Sequence, residues 1–256
     1  MTYRSGPASR LRNLRFSTRA KRSPVGIILL LALCFVWMRT EPSEATEGTE
    51  RTEAAEGAEP GPAIIFTKDF PGSSPAYYSI SVRESGETIY RTDPNDEAPV
   101  EFRLPSEAAS EIFFLVRKLS RFQNGTLESN RRVANMGKKT FEYRDGAERS
   151  AASFNHTEVP EALALMALFE RISTTQQHSL RLQNLIRFDR LGIVKALLQL
   201  EIDLDQGRLL APAQLVPVLE QIQKDRALVQ IAQGRAAQIL AKIQAANSKL
   251  SSIEAK

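Results

Sequence analysis

The stretch Tyr78-Ser-Ile-Ser-Val-Arg-Glu-Ser-Gly-Glu-Thr-Ile-Tyr-Arg91 decides the fold of this 256-residue chain. Tyr78, Ile80 and Val82 alternate with Ser79, Ser81 and Arg83, the period of a strand buried on one face only. Ser85-Gly86 then separates that strand from a second β-rich run, Thr88–Arg91, so the pair reads as a hairpin. Half-buried alternation joined by a tight turn predicts a small antiparallel sheet with packed helices.

Working outward, Ala63–Thr67 is another short β-rich run, Asp93-Pro94-Asn95-Asp96 is a loop, and Val100, Phe102 and Leu104 alternate again. A helix follows Pro105, with Ser106 as its expected N-cap and Ala108, Ile112, Leu115, Val116 and Leu119 on one face. Lys139–Tyr143 and Arg149–Phe154 flank Asp145-Gly146 as a second hairpin. Pro160 suits the first turn of a helix that buries Ala162, Leu165, Met166, Phe169 and Ile172. From about Ser179 the strand signals stop. Ile186, Ile193 and Leu200 recur at seven with Leu197 and Leu204, predicting an amphipathic helix that ends before Gly207 and Pro212. A second helix buries Leu215, Val218, Leu219 and Ile222; a third starts near Asp225 and uses Leu228, Ile231, Ile239 and Ile243. The expected fold is α+β: a small antiparallel sheet with packed helices over 63–174, then a helical hairpin or three-helix bundle over 175–256.

The first 62 residues read differently. Residues 1–22 carry seven basic residues and no acid, a basic cytoplasmic tail. Residues 23–39 contain the apolar run Val25 to Met38, a transmembrane signal-anchor or a signal h-region. Fourteen helical residues rise about 21 Å, short of the roughly 30 Å hydrocarbon core. Trp37 and Arg39 suit an interfacial anchor, Ser43-Glu44-Ala45 is a poor cleavage site behind Pro42, and Leu33 before Cys34 does not fit a lipobox. The chain after Met38 is therefore expected outside the cytosol, as periplasmic or extracellular cargo of a single-pass protein or as a secreted product. Residues 40–62 hold a repeat in which Glu recurs every third residue from Glu41 to Glu59. That period matches no helical face, and like charges with Pro and Gly oppose collapse, so a disordered linker of up to about 65 Å is expected.

The chain is +4 overall, but residues 1–22 are +7 and residues 39–61 are −5, which leaves +2 for residues 62–256. So balanced a cargo gives no electrostatic footprint for nucleic acid. Its lack of cysteine excludes thiol catalysis and cysteine metal sites there.

Val133-Ala-Asn-Met-Gly-Lys-Lys-Thr-Phe-Glu-Tyr143, Phe188-Asp-Arg-Leu191 and Leu198-Gln-Leu-Glu-Ile-Asp203 resemble stretches of envelope proteins of environmental bacteria to which no activity is attached. The resemblance spans 63–245 and implies export, with no catalytic residue or cofactor to carry over.

Among possible chemistries, His156 and His178 read as surface histidines: no G-x-S-x-G elbow accompanies them and neither has a second ligand at helical spacing. Glu201, Asp203 and Asp205 mimic a calcium loop, but Gly207 falls one place late and Pro212 stands where a bidentate Glu belongs. Arg131, Arg132, Lys138 and Lys139 form the densest basic cluster of the exported part, a candidate contact for an anionic envelope partner or an acidic protein. The reading is a non-catalytic interaction or scaffolding module with no cofactor. The alternative is an envelope hydrolase using a carboxylate pair, Glu201 and Asp203.

Overall fold

The computed structural model describes residues 61–123 and 126–254; the tail, the apolar run Val25 to Met38 and nearly all of the glutamate repeat lie outside these residues. Among the described residues, no helix is long and apolar enough to cross a membrane.

Six strands form one antiparallel sheet: β1 (Ala63–Asp69), β2 (Tyr77–Arg83), β3 (Glu87–Arg91), β4 (Val100–Arg103), β5 (Lys138–Asp145) and β6 (Glu148–Phe154). Their order is β4-β3-β2-β1-β5-β6, so β1 sits at the centre between two meanders. The alternation fixes the register. Phe66 faces Ile80 on one side and Phe141 on the other, while Ile64 faces Val82 and Tyr143. These six side chains lie on one face and are buried. A one-residue slip would send all of them to solvent.

That face is covered by α1 (Ser106–Lys118), inserted between β4 and β5, and by the first half of α2 (Pro160–Phe188). Ser106 is the first helical residue and Pro105 occupies the cap, where it makes no side-chain hydrogen bond. Ile112, Val116, Leu165, Phe169 and Ile172 complete the core, in which the Phe169 ring stacks on Phe66 with centroids 5.1 Å apart.

The expected 174/175 boundary falls inside α2, a single helix of 29 residues whose second half leaves the sheet and joins a helical core. That core is completed by α3 (Ile193–Asp205), α4 (Val216–Lys224) and α5 (Gln230–Glu254). Ile186 and Ile193 share a core cluster, as their spacing predicted, but they belong to two helices. Asp189 breaks the helix with φ −146° and ψ 79°, and its carboxylate accepts the Gly192 N–H at 3.2 Å. Gly192 packs closely there: a Cβ on it would stand 2.7 Å from Asp189 Oδ2, so the carboxylate would have to shift. In α5 the buried positions are Ala232, Ala236, Ile239, Leu240 and Ile243; Ile231, expected inside, is 67% exposed. Small alanines there allow α5 close approach to its neighbours, and a bulky first-turn residue is displaced outward.

Candidate functional site

The alternation that buries Phe66 and Phe141 also carries two lysines onto the covered face. Lys68 lies in phase with Ile64 and Phe66, and Lys139 with Phe141 and Tyr143. In the β1–β5 register, Lys68 and Lys139 are direct cross-strand partners. Like charges placed opposite each other destabilise a sheet, so the fold alone gives no reason for this pair.

Lys139 is 5% exposed. Its ammonium donates to the carbonyl oxygens of Asn155 at 2.8 Å, Met136 at 3.1 Å and Gly137 at 3.4 Å, which uses all three of its protons. Burial, and secondarily the Lys68 charge, hold this ammonium below the ordinary lysine range, with Glu170 and Glu128 opposing. Lys139 therefore pins the loop before β5 to the end of β6. Asn155 adds to the clasp: its Oδ1 accepts from Met136 N at 2.6 Å, and its Nδ2 donates to Ala134 O at 3.1 Å. Gly137, at φ +85°, is packed so closely that a Cβ would meet Phe70 Cβ at 2.5 Å.

Beside this clasp lies a crevice of about 340 Å³ between the end of the sheet and the first turns of α2. Phe70, Met136, Phe154, Leu163 and Met166 give it an apolar lining. Lys68 and Glu170 also line it, and both are half-buried. Among the described residues neither forms an ion pair. The Lys68 ammonium stands 5.8 Å from the Tyr78 ring, while the Glu170 charge adds to the burial that drives the Tyr78 phenol upward. Two half-buried charges of opposite sign on one apolar crevice, each without an ionic partner, are able to hold a ligand that carries both signs.

The four residues of the basic cluster do not form one patch. Arg131 pairs with Glu158 at 2.8 Å, Arg132 is exposed, and Lys138 sits on the uncovered face of the sheet while Lys139 points inside. Lys68 and Glu170 were missed by the sequence reading. Lys68 was legible in the phase of β1; Glu170 has no comparable signal, being one polar residue on a helix that buries only part of its circumference.

The acidic residues of α3 serve packing. His178 Nε2 lies 2.9 Å from Asp203 Oδ2, with both side chains under 10% exposed. His178 is thus a buried residue, contrary to its surface reading. Gln199 Nε2 at 3.2 Å and Arg208 at 3.3 Å complete the carboxylate's shell. Burial pushes the Asp203 carboxyl upward, but the hydrogen bonds from His178 and Gln199, with the His178 charge and Arg208, outweigh it and hold the group below the usual carboxylate range. Glu201 is bound instead by Arg235 and by Lys242 at 2.9 Å, and Lys242 also reaches Asp205 at 2.9 Å. The two carboxylates of the hydrolase alternative are therefore committed to different helices. No serine hydroxyl bonds His178, and no cluster of three or more metal-ligating side chains occurs among the described residues.

No protein-family model matches this chain, and no curated protein matches it.

Proposed function

We propose that this chain is a single-pass, membrane-anchored exported protein whose folded module binds a ligand without transforming it. The basic tail, the apolar run Val25 to Met38 and the cysteine-free remainder support the first part. The crevice at the end of the sheet supports the second, and one observation carries it. Lys68 lies opposite Lys139 on the covered face and forms no ion pair among the described residues, an arrangement that like-charge repulsion disfavours. Glu170 supplies the opposite charge across the same apolar lining.

The ligand is a small apolar zwitterion of about dipeptide size, its carboxylate on Lys68 and its ammonium on Glu170. Lys139 is not a direct contact, because its protons are spent on carbonyls; it fixes the loop that forms one wall. The role is interaction in the cell envelope, directed at a chain end or at a free zwitterion.

Calorimetric titration of the full chain in detergent with leucyl-leucine, its N-acetyl form and its C-terminal amide tests this reading. Leucyl-leucine binds, and blocking either end weakens binding by about tenfold or more, equivalent to about 1.4 kcal/mol. Lys68→Met abolishes the difference between the acid and the amide. Glu170→Gln abolishes the difference between the free and acetylated amine. Equal affinity for blocked and free ends, or no binding of any of the three, overturns it.

A further inference from the structure

The end of the helical part remote from the crevice carries a second surface. Glu201 reaches Arg235 and Lys242, and Asp205 reaches Lys242, so α3 and α5 run in the same direction. Their first residues, Ile193 and Gln230, therefore lie at one end of the helical core. The α2–α3 corner (187–191) and the segment that leads from α4 into α5 (225–231) come together there.

Both segments expose large apolar side chains. Phe188 is 82% exposed, Leu191 86%, Ile231 67% and Val229 51%. Exposed cations surround them: Arg187, Arg190, Lys195 and Arg226, none of which forms an ion pair among the described residues. The acids nearby are fewer and are used by the backbone. Asp189 accepts from Gly192 N at 3.2 Å, and Asp225 accepts from Ala227 N at 2.9 Å. Lys224, at the same end, is paired with Glu220.

From these residues we infer that this end of the module docks on an anionic lipid surface. Single apolar side chains projecting from convex helix corners suit a deformable medium, in which each can sink to the headgroup and acyl boundary while neighbouring arginines meet phosphates. A protein partner would need a matching concave face over roughly 1,000 Å² or more, which four side chains on two corners do not supply. The charge excess selects acidic headgroups. This surface is separate from the crevice, and the inference stands whether or not the crevice binds a zwitterion.

The test uses the full chain with Cys34→Ser, reconstituted into vesicles and labelled with a fluorophore at Gln230→Cys or, as a control on α1, at Ser110→Cys. Vesicles are phosphatidylcholine alone or with about 30% phosphatidylglycerol, each doped with a headgroup nitroxide quencher. The label at position 230 is quenched about fivefold more in the acidic vesicles than in the neutral ones; the label at position 110 is quenched in neither. Arg187→Glu with Arg190→Glu returns position 230 to the neutral-vesicle level, and Phe188→Ser with Leu191→Ser removes quenching. Equal quenching at 110 and 230, or quenching indifferent to both double variants, overturns the inference. A shift at position 230 that follows protein concentration without lipid also overturns it, and would assign the corner to a second copy of the chain.

Discussion

The sheet layer and the helical layer each bury a charged side chain, Lys139 and Asp203, at 5% and 7% exposure, and they satisfy it differently. Asp203 is closed into a shell of side chains from its own region: His178 of α2, Gln199 of α3 and Arg208 beyond it. Among the described residues, Lys139 is met only by main-chain carbonyls of the loops that flank β5 and β6. A carbonyl ligates without neutralising. The Lys139 charge is therefore offset only at a distance, by Glu170 and Glu128, while the Asp203 charge is met at contact distance. Of these two buried charges, only Lys139 lacks a contacting side chain of opposite charge among the described residues.

The largest effect that separates the two regions comes from the loop. Gly137→Ala forces a Cβ against Phe70 and Asp69 at a φ of +85°, and should lower stability by about 4 kcal/mol. Urea unfolding measures this. Because the clasp fails with the loop, dipeptide binding should be lost even under conditions where the variant is folded. Retained binding would separate the crevice from the clasp.

Asp203→Ala comes next. It leaves a buried imidazole and a carboxamide without their acceptor, and should cost about 3 kcal/mol while leaving dipeptide affinity unchanged. The same group sets an acid limit. Its folded pKa is depressed, so its contribution is complete above the unfolded value of about 3.9 and is lost as pH falls through the folded value. Asp203→Asn should flatten the stability curve below about pH 4; an unaltered acid limb would mean that other carboxylates govern it.

Lys139 should act at the other end of the pH scale. Its folded pKa is depressed below the unfolded value of about 10.4, so in the window beneath that value the unfolded chain binds more protons and stability rises with pH. Lys139→Met removes that rise. It leaves three carbonyls without their donor at a cost of about 1.5 kcal/mol, part of which is returned by relief from desolvation. Unfolding free energies between pH 7 and 10 measure both effects.

The sequence made the sheet legible because its alternation is one-sided: Tyr78, Ile80 and Val82 announce which face is covered, and Asp145-Gly146 announces the second turn. The same alternation holds Lys68 and Lys139 in phase with phenylalanines, but a lysine in a strand is ordinarily an edge or solvent residue, so the phase alone did not mark a site. His178 was misread because it lies in the polar run Gln176-Gln177-His178-Ser179, all but Gln177 of which is buried. A signal existed on the partner helix, where Asp203 falls on the face of Ala196 and Leu200, and an acid on an apolar face needs a donor. The α2–α3 break escaped because Ile186 and Ile193 keep a helical interval across it. Periodicity reports which side chains share a core, and it is blind to a corner that preserves the phase.

The smallest expected change in stability is the most informative about function. Lys68→Met removes a charge opposite Lys139 and keeps an apolar stem of similar length against Tyr78. Relief of cross-strand repulsion should raise stability by about 0.5 kcal/mol, and the Lys139 ammonium should move back toward the ordinary lysine range, shrinking the alkaline rise in the stability curve. If Lys68 served packing alone, nothing else would change. If it is kept for a ligand's carboxylate, the stabilised variant loses affinity for leucyl-leucine by about tenfold or more, while the leucyl-leucine amide binds both proteins equally. A more stable protein that binds less tightly is the signature of a charge held in place for a ligand, and a variant that gains stability with its affinity intact would return Lys68 to the scaffold.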